Sequence, residues 1–152
     1  MTRHLLSGRL RRLWLKLSPR SFIRFADPNT AELGQAGEEL AGRHLRRLDY
    51  RLLGRRLRTP CAEIDILAST PDSRWIVEVK TGRASTHWRP GDSLRPPQIR
   101  RLLRAAQVLS RQTQQAHSLL LAEVIIARNR RSHRILLTPI LSARPPRWGS
   151  TG

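Results

Sequence analysis

Asp65, in the stretch Glu63-Ile64-Asp65, and Glu78 with Lys80, in Glu78-Val79-Lys80, have the types and spacing for phosphodiester chemistry. Each set lies in a short apolar run that reads as a β-strand, and strand residues two apart share a face. Glu78 and Lys80 therefore stand side by side, with Asp65 on the preceding strand. Two carboxylates are hard oxygen ligands for a divalent cation, and the backbone carbonyl of Val79 offers a third oxygen. A cation held there lowers the pKa of water and neutralises charge building on a phosphate. Lys80 beside it would orient that water or stabilise the developing charge. The competing reading is a solvated strand face with cross-strand ion pairs. Spacing alone does not separate the two.

The two acids can share a cation only if both side chains leave the same sheet face. In an antiparallel hairpin, directly opposed residues point the same way. Asp65 is therefore expected to oppose Glu78, or to sit offset by two. Direct opposition puts Ser69 against Arg74, with residues 70–73 as the turn. A one-residue slip would send Asp65 to the other side.

The flanking pattern supplies the elements that must hold this hairpin. Asp27-Pro28-Asn29-Thr30 is a turn and helix start, predicting a helix over about 31–48 with Leu33, Leu40, Ala41 and Leu48 on its buried stripe. Strands are expected over 50–57, 62–68 and 74–80. In the second, Glu63, Asp65 and Leu67 share one face, and Ile64, Ile66 and Ala68 the other. Residues 81–95 read as a loop carrying His87 and Trp88; Trp88 is the better candidate for stacking on a base, and Trp75 for packing on the sheet. Pro96-Pro97 opens a second long helix, whose outward face carries Arg100, Arg104 and Arg111. Strands over 119–127 and 134–137 follow, then a Pro- and Arg-rich tail. The order predicts an α/β fold with a mixed central sheet flanked by helices. The expected organisation is a basic N-terminal extension over 1–28, disordered when free or a short helix, a core over 29–138 and a tail over 139–152.

Charge points to the partner. The chain has 152 residues, 29 Lys and Arg against 11 Asp and Glu, and a formal net charge of +18. All the basic residues but Lys16 and Lys80 are arginines, which grip phosphate bidentately and stack on bases. A high-GC genome would explain arginine over lysine, but not the shortage of acids. DNA is the expected partner, with RNA not excluded. Cys61 is the only cysteine, so no internal disulfide is expected and the chain suits a reducing, cytoplasmic compartment. No run of about 18 apolar residues is present, so no membrane span is expected. The five histidines show no zinc spacing.

Asp65 followed by Glu78-Val79-Lys80 resembles the PD-(D/E)xK restriction-endonuclease-like superfamily, although no proline precedes Asp65. The ordered set Gly34, Gly37-Glu38, Ala41, Tyr50, Glu63-Ile64-Asp65 and Val77-Glu78-Val79-Lys80-Thr81 resembles the YraN-like family of bacterial endonuclease-like proteins. That family is similar to archaeal Holliday-junction resolvases. The resemblance covers about residues 33–127. It implies a restriction-endonuclease-like fold and a metal-dependent endonuclease acting on DNA, branched or damaged DNA included. The alternative is a non-catalytic nucleic-acid-binding protein that keeps the fold. It implies Mg²⁺ or Mn²⁺ held by Glu38, Asp65 and Glu78, with Lys80 assisting water, and Glu63 as a weaker candidate. By analogy with the resolvases it implies a homodimer. Arg58 and Arg83 match, or stand near, basic positions of the pattern and are candidate DNA contacts. The chain departs from the pattern at Ala62 for a glycine, Arg56 for an asparagine, Gln98 for a lysine and Glu123 for an aspartate.

Overall fold

A computed structural model of the chain describes residues 7–85 and 92–141. Its elements are α1 (Gly8–Leu17), α2 (Pro19–Phe25), α3 (Thr30–Arg47), β1 (Arg51–Arg58), β2 (Glu63–Ser69), β3 (Arg74–Arg83), α4 (Pro96–Thr113), β4 (His117–Ile126) and β5 (His133–Leu141). The strands form one sheet in the order β1-β2-β3-β4-β5. Its pairs are antiparallel except β3 with β4, which is parallel. α4 makes the crossover that parallel neighbours require. The expected α/β class, a mixed sheet with helices packed on it, is what the chain forms.

α3 starts where the sequence signals it. Asn29 caps it by accepting from the Glu32 N–H at 2.9 Å, and the Glu32 carboxylate accepts from the Asn29 N–H at 3.1 Å. This reciprocal pair satisfies two helix-end donors. Ala36, Leu40, Ala41 and Leu45 then recur at helical spacing and are buried. They meet Ile66, Ala68, Val77, Val79 and the even-numbered apolar residues of β4 in the larger core cluster. α4 covers the other face, where Leu102, Ala105 and Ala106 pack on Ile64, Ile76, Leu119 and Leu121. β4 is buried along its whole length between the two layers. That explains its continuous apolar run, since a central strand covered on both faces has no polar side to show.

Three expectations are corrected. Residues 8–25, expected to be disordered when free or a short helix, form two helices docked on α3. Leu15, Phe22, Ile23 and Ala26 are buried in the main core, and the Arg11 guanidinium forks the Glu32 carboxylate with both bonds at 2.9 Å. Arginines interleaved among the apolar residues hide this stripe in the sequence. The second correction concerns Pro139 and Ile140, expected in a loose tail, which lie inside β5. β5 is an edge strand, and there a missing proline N–H costs no ladder bond on the open side.

The third concerns β2. Ile66 and Ala68 face α3, as their alternation predicts, but Ile64 joins the α4-side cluster with Leu67. The β2–β3 ladder ends at Ile66↔Val77, and Arg56 on β1 takes φ 49° across from this point. The pleat is therefore not continuous through Asp65.

Candidate active site

The hairpin register is the one that opposition of the acids requires. Ser69 pairs with Arg74, Ala68 with Trp75, Leu67 with Ile76 and Ile66 with Val77. One step further would set Asp65 against Glu78, but the ladder ends before that pair. There the Asp65 Oδ2 accepts from the Val79 backbone N–H at 2.7 Å. The carboxylate thus stands where a strand acceptor would otherwise be needed.

Glu78 is buried, with 7% of its surface exposed. Lys80 Nζ donates to its Oε1 at 2.8 Å, and the Gln98 amide donates to the same oxygen. Gln98 lies in the first turn of α4, so the helix covering this face also delivers a donor to the acid. Lys80 aligns with Glu123 on β4. Glu123 is buried and accepts from Ser93 Oγ at 2.7 Å.

Glu38 comes from the opposite layer. Its approach depends on Gly37, which lies directly against Thr81 of β3. A Cβ at Gly37 would overlap the Thr81 side chain, so only glycine lets α3 come this close. Arg56 Nε and Nη2 donate to the Glu38 carboxylate at 3.0 and 3.2 Å.

These groups feel one another. Burial and then the charge of Glu78 raise the Asp65 pKa from 3.8 to about 7. Glu38 pushes in the same direction, while the Val79 N–H and Lys80 pull it down. The Arg56 pKa is raised, first by its bond to Glu38 and also by the charges of Glu63 and Asp65. Glu38, Asp65, Glu78 and Lys80 therefore belong to one electrostatic unit, built from α3 and the β2–β3 hairpin.

Family membership is decided by the profile of the uncharacterised protein family UPF0102, which matches residues 37–135. This chain belongs to that family. The UPF0102 protein of Syntrophotalea carbinolica is 41% identical over 75 residues, 49% of this chain and 61% of the relative. That of Syntrophomonas wolfei is 37% identical over 82 residues, 54% of this chain and 71% of the relative. That of Aquifex aeolicus is 40% identical over 73 residues, 48% and 68% of the two chains. This chain thus spans about six tenths of the length of the Syntrophotalea relative.

The UPF0102 match spans the whole electrostatic unit and leaves α1 and α2 outside it. Other candidate residues are placed as follows. Glu63 is exposed and 3.8 Å from Arg58. Arg83, Arg100, Arg104 and Arg111 are exposed, the last three on the outer side of α4. Trp88 and His87 lie outside the described residues. Trp75 packs on the core and meets Tyr50 edge-on, with centroids 6.4 Å apart.

Arg56, Gln98 and Glu123, three departures from the resembled pattern, are the residues that meet Glu38, Glu78 and the register position of Lys80. Their sequence positions were visible; their contacts were not, because each comes from a different element.

The donor set suits a hard divalent cation, because two carboxylates that repel each other gain from a cation between them. Among the described residues, however, no group of three His, Cys, Asp or Glu side chains is gathered to hold a metal. Glu38 is turned to Arg56 instead. Half of the Arg56 side chain is exposed, and a pair of that kind contributes only about 0–1 kcal/mol, so it exchanges readily for another partner.

Proposed function

We propose that this UPF0102 protein is a metal-dependent endonuclease that hydrolyses DNA phosphodiesters, branched or damaged DNA included. The observation that supports it best is the pair Asp65 and Glu78. Burial, and after it the charge of Glu78, holds the Asp65 carboxyl up to about 7, while Lys80 sits 2.8 Å from Glu78. Structural ion pairs relieve such repulsion, whereas a site awaiting a cation retains it.

Asp65 and Glu78 would hold Mg²⁺ or Mn²⁺, with the Val79 carbonyl and with Glu38 once it leaves Arg56. When bound, the cation supplies charge neutralisation and water activation. Lys80 would donate to a phosphate oxygen as negative charge grows there, at the cost of its bond to Glu78. The Val79 N–H fixes the Asp65 rotamer, and Gln98 fixes Glu78. Exposed Arg58, Arg83, Arg100, Arg104 and Arg111 would hold the DNA backbone.

The test uses purified protein with labelled linear, nicked and four-way DNA in Mg²⁺, Mn²⁺ or EDTA. Cutting in Mn²⁺ that disappears in EDTA, and in Glu78→Gln and Lys80→Ala, is expected. The second reading, a non-catalytic nucleic-acid-binding protein, is favoured by Glu38 being held by Arg56 and by the absence of a gathered three-ligand group among the described residues. Metal-independent binding without cutting of any of these DNAs would establish it.

A further inference from the structure

Resting on the DNA reading above, we propose that α1 forms one wall of a phosphate subsite that takes the backbone of a DNA strand beside Glu38. A cleft of about 240 Å³ lies between α1, α3 and β1. Its charged lining is Arg12 and Lys16 from α1, Glu38 and Glu39 from α3, and Arg55 and Arg56 from β1. The two acids are each met from β1: Arg56 forks Glu38, and Arg55 reaches Glu39 at 3.2 Å. Arg12 and Lys16 have no acid partner among the described residues. They lie four residues apart on the helix, so they project along one stripe. The cleft thus presents two uncompensated cations facing two guanidiniums.

α1 is held in this position. Leu15, between the two cations, is buried in the core. Arg43 of α3 donates to the carbonyls of Lys16 and Leu17 at 2.8 and 2.9 Å. Four cations against two acids leave the cleft lining net positive, and a bound anion offsets that excess. A phosphodiester has the charge and the acceptor oxygens for a site of this kind, and it pairs with arginine as a fork. The UPF0102 profile begins at residue 37, so α1 lies outside the matched stretch. The subsite joins the candidate acids through Glu38 and Arg56, which border both.

The test measures binding of a fluorescent DNA duplex and of same-sequence RNA to the full chain across a salt series, in EDTA so that cutting cannot interfere. The variants are Arg12→Glu/Lys16→Glu, the milder Arg12→Gln/Lys16→Gln, and a control of equal charge change, Arg46→Glu/Arg134→Glu, on exposed residues elsewhere. The α1 reversal should weaken DNA binding at least about tenfold more than the control. It should also flatten the log–log salt slope by about two, the share of two phosphate contacts. The Gln pair should show the same slope change with an unaltered melting curve, which separates lost contact from lost folding. A loss confined to the RNA arm keeps a phosphate subsite but overturns its assignment to DNA. Equal losses in the α1 and control variants, or none in either, would overturn the subsite altogether. Cutting by the unmodified protein in Mn²⁺ is scored separately, so failure of the nuclease reading leaves this result interpretable.

Discussion

At Asp65, burial and the Glu78 charge oppose ionisation, and the N–H of Val79 supports it. The folded carboxyl keeps its proton to about 7, against 3.8 for the ordinary group. Between those values the unfolded chain has lost a proton that the folded chain still holds. The stability from this residue is therefore fully present below about 3.8 and lost as the pH rises through about 7. A shift of this size corresponds to about 4 kcal/mol at most, and partial solvent access reduces that. Asp65→Asn cannot ionise, so it should be more stable than the native chain by about 1–3 kcal/mol at pH 8 and nearly equal at pH 4. Urea melts of both chains at the two pH values check this. The same substitution should abolish metal-dependent cutting, a stability gain at the expense of activity. No gain at pH 8 would mean that Asp65 is not the strained member of the pair.

Among the elements, α3 and the N-terminal helices make the sharpest claims. Gly37→Ala introduces a methyl group that overlaps Thr81, and overpacking of that kind costs about 1–3 kcal/mol. Thr81→Ala removes two of the three atoms that would be struck. The double variant should therefore lose less than the sum of the singles, and thermal melts of the four chains measure that coupling. Phe22 is fully buried under α1, edge-on to Trp14 with centroids 5.4 Å apart. Phe22→Ala should cost about 3–5 kcal/mol. An unchanged melting curve would restore the picture of a detachable basic extension. The exposed arginine face of α4 tolerates charge removal by contrast: Arg104→Ala should leave the melting point within about a degree or two and weaken DNA binding instead.

On the scale of the whole molecule, the +18 net charge is the dominant long-range feature. If about six phosphates are neutralised, the logarithm of DNA affinity should fall against the logarithm of salt with a slope near −5. A slope near zero between low and moderate salt would remove nucleic acid as the partner. Among the described residues no helix is long and apolar enough to cross a membrane. The layered arrangement, α1–α3 on one face and α4 on the other, sets the two groups of candidate side chains in different layers, and the charges of both act on Asp65. Glu38 arrives with the α3 layer, and Gln98 and Lys80 stand on the α4 side.

Local pattern was enough for the order of elements from α3 to β5 and for the β2–β3 register from Ser69 with Arg74 to Ile66 with Val77. Each of these depends on period, on a turn of fixed length or on a cap such as Asn29 with Glu32, all contained within a few neighbouring residues. Residues distant in the chain decided the rest. The burial of Phe22 and Leu15 depends on α3 offering a surface for them, and the charge-rich stretch around them gives no sign of it. The face change at Ile64 follows from a ladder that stops at Ile66, a property of two strands together. The hold of Arg56 on Glu38 and of Gln98 on Glu78 joins segments 18 and 20 residues apart. No spacing rule predicts such contacts, because they exist only after both helices have packed on the sheet.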